Sequence, residues 1–317
     1  MQLTHEILDR LNQLEEKFAV MGQDMLSYLD GLLYADYLTY WEYINLDTLL
    51  SLQKPETTFP DENIFILYHQ ITELYFKLAI LAMEQLIREE TPQPSLFKRQ
   101  VARLNSYFDH LIHSFDVMEH GMDKDEFLKF RMSLLPASGF QSAQYRRIEI
   151  MSTDLHRLVH HSKRDKLAAD APVKELYDHL YWKSGATELA TGKKTLTLRQ
   201  FEQKYAREFL QLSEEMRENN LWQLFLKLEP AAQQDEELRQ LLREYDFKAN
   251  VLWPLSHLRS AVRYLDAKPD VIKATGGTNW QEYLPPRHQR VIFFPELWSE
   301  EDMEKWGRRV KFEPVEK

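Results

Sequence analysis

No cysteine occurs in the 317 residues, which excludes disulfides, thiolate nucleophiles, iron–sulfur clusters and cysteine-ligated zinc. Any bound metal must be held by His, Asp, Glu or Tyr. Glycine is scarce as well, nine in all, two of them adjacent at Gly276-Gly277. A Rossmann fingerprint, a P-loop or a turn-dense β-sandwich each needs several glycines, so these classes are disfavoured. Basic runs do not exceed pairs such as Arg146-Arg147 and Lys193-Lys194, and the net charge is −10. Phosphate binding needs clustered Lys and Arg, so no nucleic-acid partner is expected. A signal-peptide core is missing from the charged first residues, MQLTHEILDRLNQLEEKF. The most apolar stretch, Asn63 to Met83, is interrupted by His69, Glu73 and Lys77 and is not expected to span a membrane. What the chain does have is 44% hydrophobic and 28% charged residues, enough for a real core and a solvated surface. The expectation is a soluble, cytoplasmic protein.

Helical spacing runs through the sequence. Ile7, Leu11, Leu14, Phe18, Met21 and Met25 alternate by four and three, so one heptad-like helix is expected over 3–29, with a seam that wants a partner. Asp61 after Pro60 is placed to cap a long helix over 63–90, apolar nearly all round and therefore expected at the centre of a bundle. Further helices are expected over 97–119, 123–135, 141–163, 172–184, 198–217 and 234–266, and a short one after Ser299. Period-two alternation is almost absent. The looser stretches are 49–62, 184–197 and 267–289, the last two long enough to suggest a task such as a lid. The fold expected is all-α: one bundle-like domain over 1–317, its first 35 residues an oligomerisation helix and 165–230 a small helical excursion.

Spacing also marks polar groups on apolar stripes. His69 follows Phe65 by four and precedes Thr72 and Phe76, so it points inward among aromatics. His257 follows Trp253 by four and is followed by Ser260 and Ala261, small residues that leave room against that face; Pro254 just before it should kink the helix and free a carbonyl. Arg131 shares a stripe with Phe127, Leu134 and Leu135, and a buried guanidinium needs an anion. Each has a plainer explanation: a hydrogen-bonded core histidine, or an arginine paired with an internal carboxylate. The spacing of His156 and His160 suits a metal but lacks an acidic partner, in a helix expected to be solvated. No HExxH, no paired Glu-x-x-His and no Gly-x-Ser-x-Gly occurs, which excludes the usual zincin, di-iron and acyl-transfer sites. One cofactor that fits an all-α, cysteine-free core with two inward histidines is haem on a single axial His.

Four blocks carry a resemblance to a known family: LTYWEYINLDTLLSLQ from Leu38, NIFILYHQITELYFK from Asn63, FRMSLLPASGFQSAQYRRIE from Phe130, and a discontinuous block running from His257-Leu258-Arg259 through Ala274-Thr275-Gly276-Gly277 to Phe293-Phe294-Pro295-Glu296-Leu297. In this order they resemble the tryptophan 2,3-dioxygenases, haem enzymes that open the indole ring of L-tryptophan. The resemblance implies haem b, Fe2+ in the active form, with His257 as proximal ligand of the iron and O2 as co-substrate. It implies that His69 is the distal histidine facing the indole N–H, that Phe65 packs on the indole ring, and that Arg131 grips the substrate carboxylate. Phe127 and Ser138 match other pocket positions, and Thr275 matches a loop threonine at the amino-acid end of the substrate. Tyr40 and Tyr43 match tyrosines that reach a neighbouring subunit's pocket, in a homotetramer built as a dimer of dimers. The readings left beside it are a related monooxygenase of an aromatic amino acid, a non-catalytic haem or ligand sensor, and a helical interaction module.

Overall fold

The computed structural model describes residues 4–35, 38–89, 92–134, 139–187, 193–264 and 285–308. Among them the secondary structure is helical, with isolated bridges Val159–Leu180 and Thr187–Lys194 and no longer strand. The all-α expectation holds. The chain divides into two compact units, Met1–Lys54 and Pro55–Lys317.

The first unit contains α1 (His5–Val20), α2 (Met25–Tyr34), α3 (Tyr40–Tyr43) and α4 (Leu46–Leu50). The single helix expected over 3–29 is two helices. Gly22 takes φ +65°, a left-handed setting that ends α1, and the Asp24 carboxylate then caps α2 by accepting the Leu26 and Ser27 N–H groups at 3.3 and 3.1 Å. Phe18 and Tyr28 stack across the break at 4.1 Å. At the start of α3 the Glu42 carboxylate accepts the Thr39 backbone N–H at 3.0 Å and its hydroxyl at 2.6 Å. None of these helices buries a side chain completely.

The second unit is built on α5 (Asp61–Ile87) and α6 (Pro94–His120), an antiparallel pair. Phe97, Val101, Leu104, Phe108, Leu111, Phe115 and Met118 repeat by four and three along α6, and all are buried. They meet an equivalent row on α5: Thr72, Phe76, Ala79, Met83 and Leu86. A second apolar row on α5, Leu67, Ile71, Leu74, Leu78 and Leu81, stays exposed. The expectation of a helix enclosed at the bundle centre is therefore corrected: α5 buries one face and shows the other. It is long and apolar enough to cross a membrane by length and composition alone, and its buried face belongs to the core of this unit. Asp61 does not cap it; Pro60 holds that position, and the Asp61 carboxylate accepts the Asp123 N–H at 2.6 Å.

Around this pair lie α7 (Lys124–Phe130), α8 (Ala143–Ser152), α9 (His161–Arg164), α10 (Val173–Asp178), α11 (Tyr181–Gly185), α12 (Leu196–Glu215), α13 (Leu221–Leu226), α14 (Pro230–Gln233), α15 (Glu236–Phe247) and α16 (Trp253–Tyr264). The helix expected over 141–163 stops at Ser152. There Thr153 turns extended, and its hydroxyl donates to the Phe293 carbonyl at 2.6 Å. The stretch 165–230, expected as an excursion, places Val173, Leu176, Tyr177, Leu180, Trp182, Phe201 and Phe209 in the same apolar cluster as α5 and α6.

Two buried polar networks fasten the periphery. Arg146 on α8 pairs with Glu149 at 2.8 Å, and Tyr181 from α11 donates to Glu149 and accepts from Arg146. Asp246 at the end of α15 accepts the Phe293 and Phe294 N–H groups, the Asn250 amide and the Trp298 indole N–H, all at 2.8 to 3.0 Å. Between α15 and α16 the chain adopts a π-helical turn over Lys248–Leu252.

Candidate functional site

Three elements of the second unit bring together residues distant in sequence. α5 carries Phe65 and His69. The end of α7 carries Phe127, Phe130 and Arg131. α16 carries His257. Phe115 from α6 links them: its ring lies 5.7 Å from Tyr68, 4.7 Å from Trp253 and 6.1 Å from His257 between centroids, nearly parallel to the last.

His69, expected to point inward, is exposed on its face of α5; the protein packed around its ring nevertheless lowers its pKa by desolvation, opposed by its hydrogen bond to Phe65 and by the Glu73 charge. Its Nδ1 lies 2.7 Å from the Phe65 carbonyl oxygen. A carbonyl only accepts, so Nδ1 carries the proton and the neutral ring presents Nε2 as an acceptor. Phe65 packs against the same imidazole at 4.1 Å, tilted by 37°, and Tyr68 meets it edge-on at 5.4 Å. An acceptor nitrogen held beside an aromatic wall suits a flat ring with an N–H donor.

His257 is half-buried, and burial pushes its pKa down to about 4, with repulsion from His69 adding to the fall. The two imidazoles are thus close enough for a charge on one to be felt by the other. No described residue hydrogen-bonds either nitrogen of His257. A neutral imidazole, with one nitrogen free of a proton, is the form that ligates a metal, so the residue is fitted to hold an iron. Ser260, one turn after it, is buried. Trp253, one turn earlier, packs edge-on to Phe76 at 5.7 Å, which fixes α16 against α5.

Arg131 is 9% exposed. The helix expected to run through it ends at Phe130; Arg131 is its C-cap and opens a 3-10 turn over Arg131–Leu134. Burial disfavours its charge. Phe127 and Phe130 pack at 5.5 Å, and each lies about 6 Å from Phe65. The wall continues through Tyr68, Phe115, Met118 and Met122. Phe115 and Phe130 were not singled out from the sequence; the buried row of α6 carries Phe115 on its core face.

Ser138 and Thr275, with the glycine pair and the expected lid, lie outside the described residues. Tyr40 and Tyr43 belong to the first unit, 71% and 75% exposed, with Trp41 between them at 57%. The pairing of His156 with His160 for a metal is not found. His156 is half-buried outside any α-helix, and its Nε2 faces the Arg164 and Leu167 carbonyls at 3.0 Å, so that nitrogen carries a proton.

The family model described as tryptophan 2,3-dioxygenase matches residues 31–265. A tryptophan 2,3-dioxygenase of Polaromonas naphthalenivorans is 30% identical, over 83% of this chain and 90% of its own. Those of Bradyrhizobium diazoefficiens and Bacillus thuringiensis subsp. konkukian are each 29% identical, over 82% and 83% of this chain and 91% of theirs. The matched span takes in both histidines, Arg131 and the exposed tyrosines, and the chain belongs to the tryptophan 2,3-dioxygenase family.

Proposed function

We propose that this chain is a haem-dependent tryptophan 2,3-dioxygenase, which cleaves the indole C2–C3 bond of L-tryptophan with O2 to give N-formyl-L-kynurenine. The observation that carries the reading is the state of His69: neutral, protonated on Nδ1 by its bond to Phe65, with Nε2 left as the acceptor an indole N–H requires. Indole N–H is too weak an acid to need a base, so His69 orients the ring. Phe65 and Phe127 supply the apolar wall. Arg131 binds the carboxylate through the planar fork of its guanidinium, which suits a carboxylate better than an ammonium would. Holding both ends of the substrate sets its reacting bond in place and excludes water from one face.

His257 is the residue fitted to hold haem b, ferrous in the working protein, and that group supplies the iron that activates O2. Ser138 and Thr275 complete the amino-acid end of the pocket in this proposal. Tyr40 and Tyr43 complete a neighbouring subunit's pocket within a homotetramer. Their exposure, and the open row Leu67, Ile71, Leu74, Leu78 and Leu81, supports such an assembly.

The test is the mass of the product formed from L-tryptophan and labelled O2 by the reduced, haem-loaded protein. Two labelled atoms in a ring-opened product are expected. One labelled atom assigns the chain to a hydroxylating reaction, and absence of product with haem bound overturns the reading.

A further inference from the structure

The turn ahead of the helix that carries His257 follows an irregular hydrogen-bond register. Trp253 N–H bonds to the Lys248 carbonyl, five residues back, rather than to Ala249 four back. In that register the next donor, which should serve Ala249, is residue 254, a proline without an N–H. The Ala249 carbonyl is therefore left by both registers, and Ala249 is fully buried. The Tyr145 hydroxyl donates to it at 2.8 Å. Pro254 was expected to free a carbonyl, and in the π register the one it leaves without a helical donor is that of Ala249.

Tyr145 is a well-founded anchor. It is buried, its ring packs on Phe76 at 5.3 Å, and the Arg146 guanidinium lies 4.8 Å from its centroid. The next residues of its helix are fixed by the Arg146–Glu149–Tyr181 network. Phe76 in turn touches Trp253, and Trp253 and His257 share contact with Phe115. One extra residue in a helical turn rotates everything after it by about 100° relative to a continuous α-helix. The register of this turn consequently decides which face of α16 bears His257.

We propose that Tyr145 is a positioning residue for His257: its hydroxyl holds the π-helical register at Ala249 and so aims the imidazole. The inference rests on the assignment of His257 as the axial ligand. The variant to make is Tyr145→Phe, which keeps the ring and removes only the hydroxyl. Tyr245→Phe is the control, since it also removes a buried phenol hydroxyl, one bonded to Ser152 Oγ at 2.7 Å and not to the π turn.

Two measurements on the full-length chain decide the matter. Amide exchange over 248–257 should become about tenfold faster in Tyr145→Phe, as expected for losing one buried hydrogen bond. In the ferrous haem-loaded protein the iron–imidazole stretching line should shift or broaden, with haem content unchanged and with Tyr245→Phe leaving the line in place. Unchanged exchange overturns the proposal. Faster exchange with an unmoved line overturns it too, as does an equal effect of Tyr245→Phe on the line. If instead the parent protein shows no iron–imidazole line, the ligand assignment has failed, while the exchange arm still reports on Tyr145.

Discussion

At the scale of single residues, the proposed chemistry falls to three side chains, and their environments say how. His257 has lost its ordinary basicity to burial and has no described hydrogen-bond partner. Replacing it with Ala should release haem; a desalted variant that keeps the full haem absorption would remove it from the ligand role. Arg131 is buried at the end of a short helix among phenylalanines. Arg131→Leu should weaken tryptophan binding by about 2 kcal/mol while haem content stays the same. The check is a titration of the haem spectrum with tryptophan, and an unchanged affinity would mean that the carboxylate is gripped elsewhere. Both residues were legible in the sequence because a charged or titratable group on an apolar helical row is conspicuous. Which nitrogen of His69 is left as an acceptor was not legible, since that depends on the helix placing the Phe65 carbonyl against Nδ1.

At the scale of elements, the long helices were the legible part. α5, α6 and α12 announce themselves through apolar residues repeated every three or four positions. The misplaced ends have local or remote causes that periodicity does not carry. Gly22 breaks the first helix by going left-handed, and Thr153 leaves α8 to reach a carbonyl of Phe293, far along the chain. The Asp246 junction shows how such remote bonds govern stability. Burial raises its carboxyl to about 6 against the pull of four N–H donors. Its unfolded value lies near 3.8, so between about pH 4 and 6 the folded chain holds a proton that the unfolded chain releases. Its contribution should therefore fall as pH rises through that window and stay level above it. Asp246→Asn lacks the titration, so the Tm difference between parent and variant should be largest near pH 4 and smallest above pH 6. A gap that widens with rising pH would show that the four donors outweigh burial.

At the scale of the whole molecule, the first unit exposes aromatic residues that a lone soluble chain has little reason to show: Tyr34, Tyr40, Trp41 and Tyr43. If a neighbour's pocket takes up Tyr43, then Tyr43→Ala should reduce turnover in the assembled protein while its own haem stays bound. A fully active monomeric form of the parent protein would contradict that role. The long exposed row of α5 carries a further consequence. Its side chains are Leu and Ile without exception, and the attraction between such surfaces in water is entropic near room temperature and fades on cooling. A contact made through this row would then loosen near freezing as well as on dilution, and re-form on warming. Subunits stored cold at low concentration would sediment as smaller species than the same sample at 25 °C, so that temperature, as much as concentration, would set how much of the protein is in its working assembly.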